Sequence, residues 1–231
     1  MTKTKLVIFD LDGTLLNTIG VITKALNKSL TDFGFDTYEE EEVKSKVGYG
    51  PRVLIDYSVP NIDLELKEKI YKNNRKYSDE LTYDSEMFEG VDKLLDGLVA
   101  RGIKIAINTN KSHHRAVNIA EKVFSKWKFC DVIGYQEGDI GKPNPENALK
   151  IMEKAGVTRE ETVYVGDMIV DYETAKNAGM RIALCDWGFE NKEELKKLDC
   201  DIYLKKPEDL LSYLWYNTHK INRRSIWMTN T

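Results

Sequence analysis

The chain has 231 residues, 42% of them hydrophobic and 31% charged, with a formal net charge of −4. That length exceeds one minimal core and falls short of two independent domains, so one core domain carrying an insertion fits best. The composition excludes a disordered or fibrous chain, and the acidic balance argues against a large nucleic-acid footprint, which needs a basic face.

The opening segment MTKTKLVIFDLDGTLL carries two acids inside its apolar run. It would fail as a signal peptide, and no uncharged run approaches membrane-spanning length. Cys130, Cys185 and Cys200 form no CxxC pair and have no histidine pair to complete a zinc site, so they read as reduced thiols. A cytoplasmic protein with a small-molecule partner, no nucleic acid and no membrane is expected. The oligomeric state has no signature in the sequence.

The first apolar run, Leu6 to Phe9, ends at Asp10 and reads as a strand. Residues 16–86 break the strand rhythm. Ile22, Leu26, Leu30 and Phe33 recur at helical spacing, as do Leu66, Ile70, Tyr77 and Leu81, so this block is expected to be an inserted helical cap. The charged run Glu39 to Glu42 reads as a solvated helix face.

Further strands are expected at Ile103 to Ile107, Val132 to Gly134, Thr162 to Val165, Arg181 to Leu184 and Asp201 to Leu204. Helices are expected at Val91 to Ala100, Arg115 to Phe124, Pro145 to Ala155 and Asp171 to Ala178. This alternation specifies the α/β class, a doubly wound parallel sheet. Residues 1–15 and 87–231 would form that Rossmann-like core, and 16–86 the cap. The stretch 217–231 mixes basic residues with Ile226, Trp227 and Met228, and reads either as a docked extension or as a frayed tail.

The sharpest chemical signal is Asp10-Leu11-Asp12-Gly13-Thr14 directly after a strand, where alternation aims both carboxylates one way. Like charges that close need a cation between them or a proton on one of them. Mg²⁺ takes oxygen ligands, so Asp10 can serve as ligand and nucleophile together. The bland reading is an acidic strand end followed by a turn.

Three later motifs lie at strand ends or beside them. Thr109 and Asn110 offer a hydroxyl and an amide to phosphate oxygens. Lys142, held in Gly141-Lys142-Pro143-Asn144-Pro145, suits a rigid phosphate-neutralising cation, and Pro145 can open the next helix. Asp167 and Asp171 follow a further strand. Asp167 is the stronger metal ligand, while Asp171 either joins it or simply caps its helix.

Taken in order, DLDGT, NTN, GKPNP and GDMIVD resemble the four motifs of the haloacid dehalogenase superfamily. The resemblance implies that Asp10 attacks phosphorus and that Asp12 is the general acid and base. It implies that Thr109 and Lys142 bind phosphate, and that Asp167 and Asp171 hold Mg²⁺ with Asp10 and the main chain of Asp12. It also implies a magnesium-dependent phosphatase acting through a phosphoaspartyl intermediate on a small phosphorylated metabolite.

A narrower similarity to phosphoglycolate phosphatases rests on DGTL, on the cap segment Val47-Gly48-Tyr49-Gly50-Pro51-Arg52 and on Thr109-Asn110-Lys111. It points to Gly48 and Arg52 as specificity residues, Arg52 meeting a substrate carboxylate unless it is merely solvated. Many relatives carry Asp-Ser or Asp-Thr where this chain has Asn17-Thr18, a departure that bears on cap hinging. The core motifs would equally serve a phosphomutase of the β-phosphoglucomutase type. More distant alternatives are a phosphoacceptor signalling domain and a non-catalytic phosphate-binding protein, the latter disfavoured by intact Asp10 and Asp12.

Overall fold

In a computed structural model, which describes residues 3–215, the first apolar run is strand β1 (Leu6–Phe9). The stretch 217–231 lies outside the described residues. All four β1 side chains are fully buried, as a parallel strand covered on both faces requires.

Two residues beyond the first turn form β2 (Leu16–Asn17), which the sequence pattern did not reveal. Four helices follow: α1 (Ile19–Asp32), α2 (Glu40–Lys44), α3 (Pro51–Ser58) and α4 (Leu64–Glu80). The chain returns through β3 (Glu86–Met87), which pairs antiparallel with β2, Asn17 opposite Glu86. The helical segment thus leaves and rejoins the sheet through one short ribbon, and Asn17 sits in it.

The helices start where local chemistry dictates. Asp63 caps α4 by accepting from Leu66 N at 2.9 Å, Pro51 occupies the first turn of α3, and Glu39 and Glu42 form an exposed capping box on α2. Leu26, Leu30 and Ile70 are fully buried in a cluster that also takes Met168, Val170 and Phe189 from the other half of the molecule. Tyr77 departs from the expected stripe: its hydroxyl donates to Asp32 at the surface, and the buried face of α4 carries Ile70, Tyr71 and Asn74.

Beyond the ribbon come α5 (Val91–Ala100), β4 (Lys104–Ser112), α6 (His113–Lys122), β5 (Asp131–Tyr135) and α7 (Glu146–Ala155). They are followed by β6 (Thr162–Gly166), α8 (Ile169–Ala178), β7 (Arg181–Cys185), α9 (Lys192–Lys196) and β8 (Ile202–Leu204). Three expectations shift, α6 lying two residues earlier at both ends than the expected Arg115 to Phe124. Strand β4 runs on through Ser112 instead of ending at Ile107, with an irregularity in its pairing to β5 between Asn108 and Ser112. Helix α8 begins two residues before Asp171, because Asp171 accepts from backbone N–H groups N-terminal to it instead of standing at the cap position.

The six long strands form one parallel sheet in the order β5-β4-β1-β6-β7-β8. Alternation splits its two faces. Val7, Phe9, Val163 and Val165 pack beneath α5 and α6, while Leu6, Ile8 and Tyr164 face α7 and α8. Strand β1 sits where the connection order reverses, between β4 and β6. In open α/β sheets the crevice beyond the carboxyl ends at such a point is where ligands bind.

Candidate active site

Asp10 is the first residue past β1, and its backbone N–H still donates to Val165 O of β6 at 2.8 Å. The sheet therefore fixes its position. The chain then turns back, with Gly13 N donating to Leu16 O at 2.8 Å. Gly13 has φ +88, and a Cβ there would collide with the Asp167 carboxylate. Glycine is thus required twice over, for its backbone angle and for the close approach.

Strand β6 ends at Gly166 and delivers Asp167, which is fully buried. Thr14 Oγ1 donates to one Asp167 oxygen at 2.8 Å and Phe189 N to the other at 2.8 Å. Gly188 is equally constrained, since a Cβ on it would overlap the Asp167 side chain. Asp171 does two jobs with its two oxygens. Oδ2 accepts from the N–H groups of Asp167 (3.2 Å) and Met168 (3.1 Å), capping α8, and Oδ1 accepts from Lys142 Nζ at 2.6 Å.

Lys142 Nζ also lies 2.7 Å from Asp10 Oδ1, so one ammonium bridges the carboxylates at the ends of β1 and at the start of α8. Its backbone is fastened by Asn110, whose Oδ1 accepts from Lys142 N at 2.8 Å. Asn110 Nδ2 donates to Gly48 O at 2.9 Å and to Lys142 O at 3.2 Å. The Asn110 amide, expected on a phosphate, is instead taken up in tying the lysine loop to the helical segment.

Asp10, Asp167 and Asp171 can bring one oxygen each within 4.8 Å of one another, and all three are buried. Among the described residues Lys142 is the one cation paired with this cluster. The electrostatics reflect that shortage. Burial, opposed by Lys142 and reinforced by Asp171, pushes the Asp10 carboxyl up to about 7. Burial and the two neighbouring acids hold Asp167 well above the carboxylate range. For Lys142, burial works against the charge, but Asp10 and Asp171 outweigh it and keep the ammonium protonated well above the usual lysine range. Three converging carboxylates with one ammonium make a site short of positive charge. That donor set fits a divalent cation that prefers oxygen ligands.

Asp10 and Lys142 open onto a cavity lying between the carboxyl ends of the strands and helices α3 and α4. Asp10, Asp12, Thr109 and Lys142 line it from the sheet, and Gly48, Pro51 and Leu54 from the helical segment. Thr109 is buried on β4, with Oγ1 accepting from Lys111 N at 3.2 Å. Asp12 is the one acid of this group bound elsewhere, Lys111 Nζ standing 2.8 Å from its Oδ1.

Arg52 does not join these residues. Its guanidinium is held by Glu68 at 2.6 Å and Glu137 at 2.8 Å in an ion-pair network and lies over the Tyr71 ring. Gly48 does line the cavity; its φ is +106, and a Cβ would press on Met168 Sδ at 2.8 Å. His114 pairs with Asp79 and His113 with the Gly134 backbone, away from the cavity. Sequence reasoning missed Lys111, Arg115, Asn74 and Gly188. For Lys111 a signal existed: extending strand alternation two residues past Thr109 points it to the same face.

A family model for haloacid dehalogenase-like hydrolases matches residues 7–185. The pyrophosphatase PpaX of Halalkalibacterium halodurans is 32% identical over 210 residues, spanning 89% of this chain and 94% of that protein. A phosphoglycolate phosphatase of Vibrio parahaemolyticus is 30% identical over 215 residues, covering 90% and 94%. In fold, a haloacid dehalogenase-like hydrolase from Streptococcus pneumoniae superposes with a TM-score of 0.82 at 19% identity, covering 92% of this chain and 99% of its own. Among the described residues no helix is long and apolar enough to cross a membrane. With the motifs, the sheet order and the buried acid cluster in agreement with these likenesses, the chain belongs to the haloacid dehalogenase-like hydrolase family and is an enzyme of its phosphatase branch.

Proposed function

We propose that this protein is a magnesium-dependent phosphatase that hydrolyses a small phosphorylated metabolite through a phosphoaspartyl intermediate on Asp10. The observation that carries this reading is the shared ammonium of Lys142. It orients Asp10 on the lining of a cavity, beside two further buried acids.

Asp10 is the nucleophile in this reading. One of its oxygens bonds to phosphorus as the ester P–O bond breaks, while Lys142 balances charge on the transferring oxygens. Asp12 donates a proton to the leaving oxygen, then takes a proton from the water that attacks the phosphoaspartate, returning Asp10 to its free carboxylate. Thr109 donates to a phosphoryl oxygen. Asp10, Asp167, Asp171 and the main chain of Asp12 would hold Mg²⁺, which when bound polarises phosphoryl oxygens and offsets the charge of the acid cluster. Residues 16–86 act as a cap over residues 1–15 and 87–231. The two-residue ribbon, the Asn110 bond to Gly48 and the packing of Met168, Val170 and Phe189 into the helical cluster are among the contacts through which cap and core communicate.

The substrate class follows from similarity to phosphoglycolate phosphatases and a pyrophosphatase and from a cavity that Asp10, Thr109 and Lys142 line together. The test is phosphate release across a panel of phosphorylated metabolites with and without Mg²⁺, wild type against Asp10→Asn, with sugar-phosphate isomers followed in the same reactions. Release should require Mg²⁺ and fall below about a thousandth of wild type in the variant. Equal release in Asp10→Asn overturns the covalent route, and isomer conversion without net release overturns the hydrolase in favour of a mutase.

A further inference from the structure

The cavity has polar lining residues that the chemistry at Asp10 does not use. Arg115 is the third residue of α6, and its side chain is only 7% exposed. Its one hydrogen bond runs from Nε to Ser112 Oγ at 2.6 Å, and the nearest acid, Asp79, stands 3.6 Å from the same Nε and is shared with His114. The two terminal nitrogens, the part of a guanidinium that forks onto an oxyanion, have no protein acceptor among the described residues. Arg115 nonetheless lines the cavity, alongside Asp12 and Thr109.

Structural reasons for this arginine are poor. A cation in the first helical turn faces the positive end of the helix dipole, and a buried guanidinium is costly unless paired. Burial accordingly holds Arg115 below the ordinary arginine range. The neighbouring cation, Lys111, is already matched by Asp12, whereas Arg115 is matched only at Nε, by an Asp79 carboxylate 3.6 Å away that it shares with His114.

Helix α4, whose Asp79 reaches Arg115, also presents Asn74 and Ser78, four residues apart and therefore on one face. Both line the cavity. Asn74 is 2% exposed, yet among the described residues its amide makes no hydrogen bond. Its amide and the terminal nitrogens of Arg115 are therefore both available to a ligand in the cavity that they line.

We infer that Arg115, with Asn74 and Ser78 of the same cavity lining, forms a second anion subsite that takes a carboxylate or phosphate oxyanion carried by the substrate close to its scissile phosphoryl group. The inference rests on the phosphatase reading of the Asp10 site. It replaces Arg52 as the specificity arginine and selects compact, doubly anionic substrates over singly phosphorylated neutral alcohols. The carboxylate and the phosphate present the same oxyanion chemistry to the fork, so the experiment must separate them.

The test measures kcat/KM for 2-phosphoglycolate, for inorganic pyrophosphate and for the matched neutral ester 2-hydroxyethyl phosphate, in wild type, Arg115→Lys and Arg115→Met. The ratio of anionic to neutral substrate should fall about tenfold to a hundredfold in Arg115→Met, and less in Arg115→Lys, which keeps charge without the fork. A fall for phosphoglycolate alone identifies a carboxylate head and for pyrophosphate alone a phosphate head. An unchanged ratio for both overturns the subsite, whatever happens to overall rate. Should Arg115→Met not fold, Arg115→Lys and Asn74→Ala are judged by the same ratio. Should wild type hydrolyse none of the three, the phosphatase reading fails, and calorimetric titration of phosphoglycolate and pyrophosphate decides the subsite alone. At least tenfold weaker binding in the variant upholds it; equal or undetectable binding to both proteins overturns it.

Discussion

Lys111 Nζ stands 2.8 Å from one oxygen of Asp12 and 3.2 Å from the other, gripping the carboxylate across both. The side chains are 12% and 20% exposed, so the pair is shielded enough to hold a geometry. Its consequence is orientation: the carboxylate proposed to shuttle protons is aimed by a lysine from the next strand. Lys111→Met should lower kcat by about tenfold to a hundredfold, part of the usual contribution of a placed general acid and base, with a smaller effect on KM. Lys111→Arg should recover most of the loss. Steady-state kinetics checks this, and a rise in KM at constant kcat would mean that Lys111 binds substrate instead of positioning Asp12.

The crowded acids give the protein a pH-dependent need for a cation. Asp10 sits at about 7 in the folded chain against an ordinary 3.8. Below the ordinary value both folded and unfolded chains hold its proton. Between the two values the folded chain retains a proton that the unfolded chain releases, so stability is lost as pH rises through that window. Asp167 acts in the same direction. Mg²⁺ should therefore raise the melting temperature several degrees more at about pH 8 than at about pH 5.5. Asp10→Asn should flatten the difference. Equal Mg²⁺ shifts at both pH values would contradict the assignment of these acids as its ligands.

What the sequence made legible was whatever depended on one strand and the residues just beyond it. Leu6 to Phe9, Thr162 to Val165 and the acids after them read directly, because a doubly buried parallel strand is a continuous apolar run and its polar terminus stands out. The ribbon of Leu16–Asn17 with Glu86–Met87 did not read, since two residues carry no periodicity and their partners lie some seventy positions apart in the chain. The face of α4 was misjudged for a related reason. Asn74 is buried because it meets the cavity and Tyr77 is not because it reaches Asp32, and neither outcome follows from helical spacing. Arg52 and Arg115 have the same chemistry in sequence. Only the positions of Glu68 and Glu137 reveal that the first is already satisfied.

Gly188 tests how tightly Asp167 must be held. A methyl group there would overlap the Asp167 side chain, and the next residue, Phe189, supplies the N–H that orients one carboxylate oxygen. Gly188→Ala must therefore push Asp167 or its own loop aside. The Mg²⁺ concentration giving half-maximal activity should rise about tenfold to a hundredfold, the usual cost of disturbing the groups that orient a metal ligand. Overpacking should also cost about 1–3 kcal/mol in urea unfolding. A variant that unfolds more easily but keeps its Mg²⁺ dependence would show that Asp167 does not hold the metal.

Asn110 separates positioning from phosphate binding. Its amide spans Gly48 O, Lys142 N and Lys142 O, so Asn110→Ala leaves backbone groups of the lysine loop and of the helical segment without their partner. Removing such a partner costs about 1–3 kcal/mol for each buried group left unpaired. The lysine loop would keep its prolines but lose the strut that sets its height above Asp10. A small displacement of a charge-balancing group lowers the rate of the chemical step more than it lowers ground-state affinity. Turnover should therefore drop about tenfold or more, while competitive inhibition by inorganic phosphate changes much less. A parallel loss of phosphate affinity and turnover would return Asn110 to the role first read from its sequence, a direct donor to the phosphoryl oxygens.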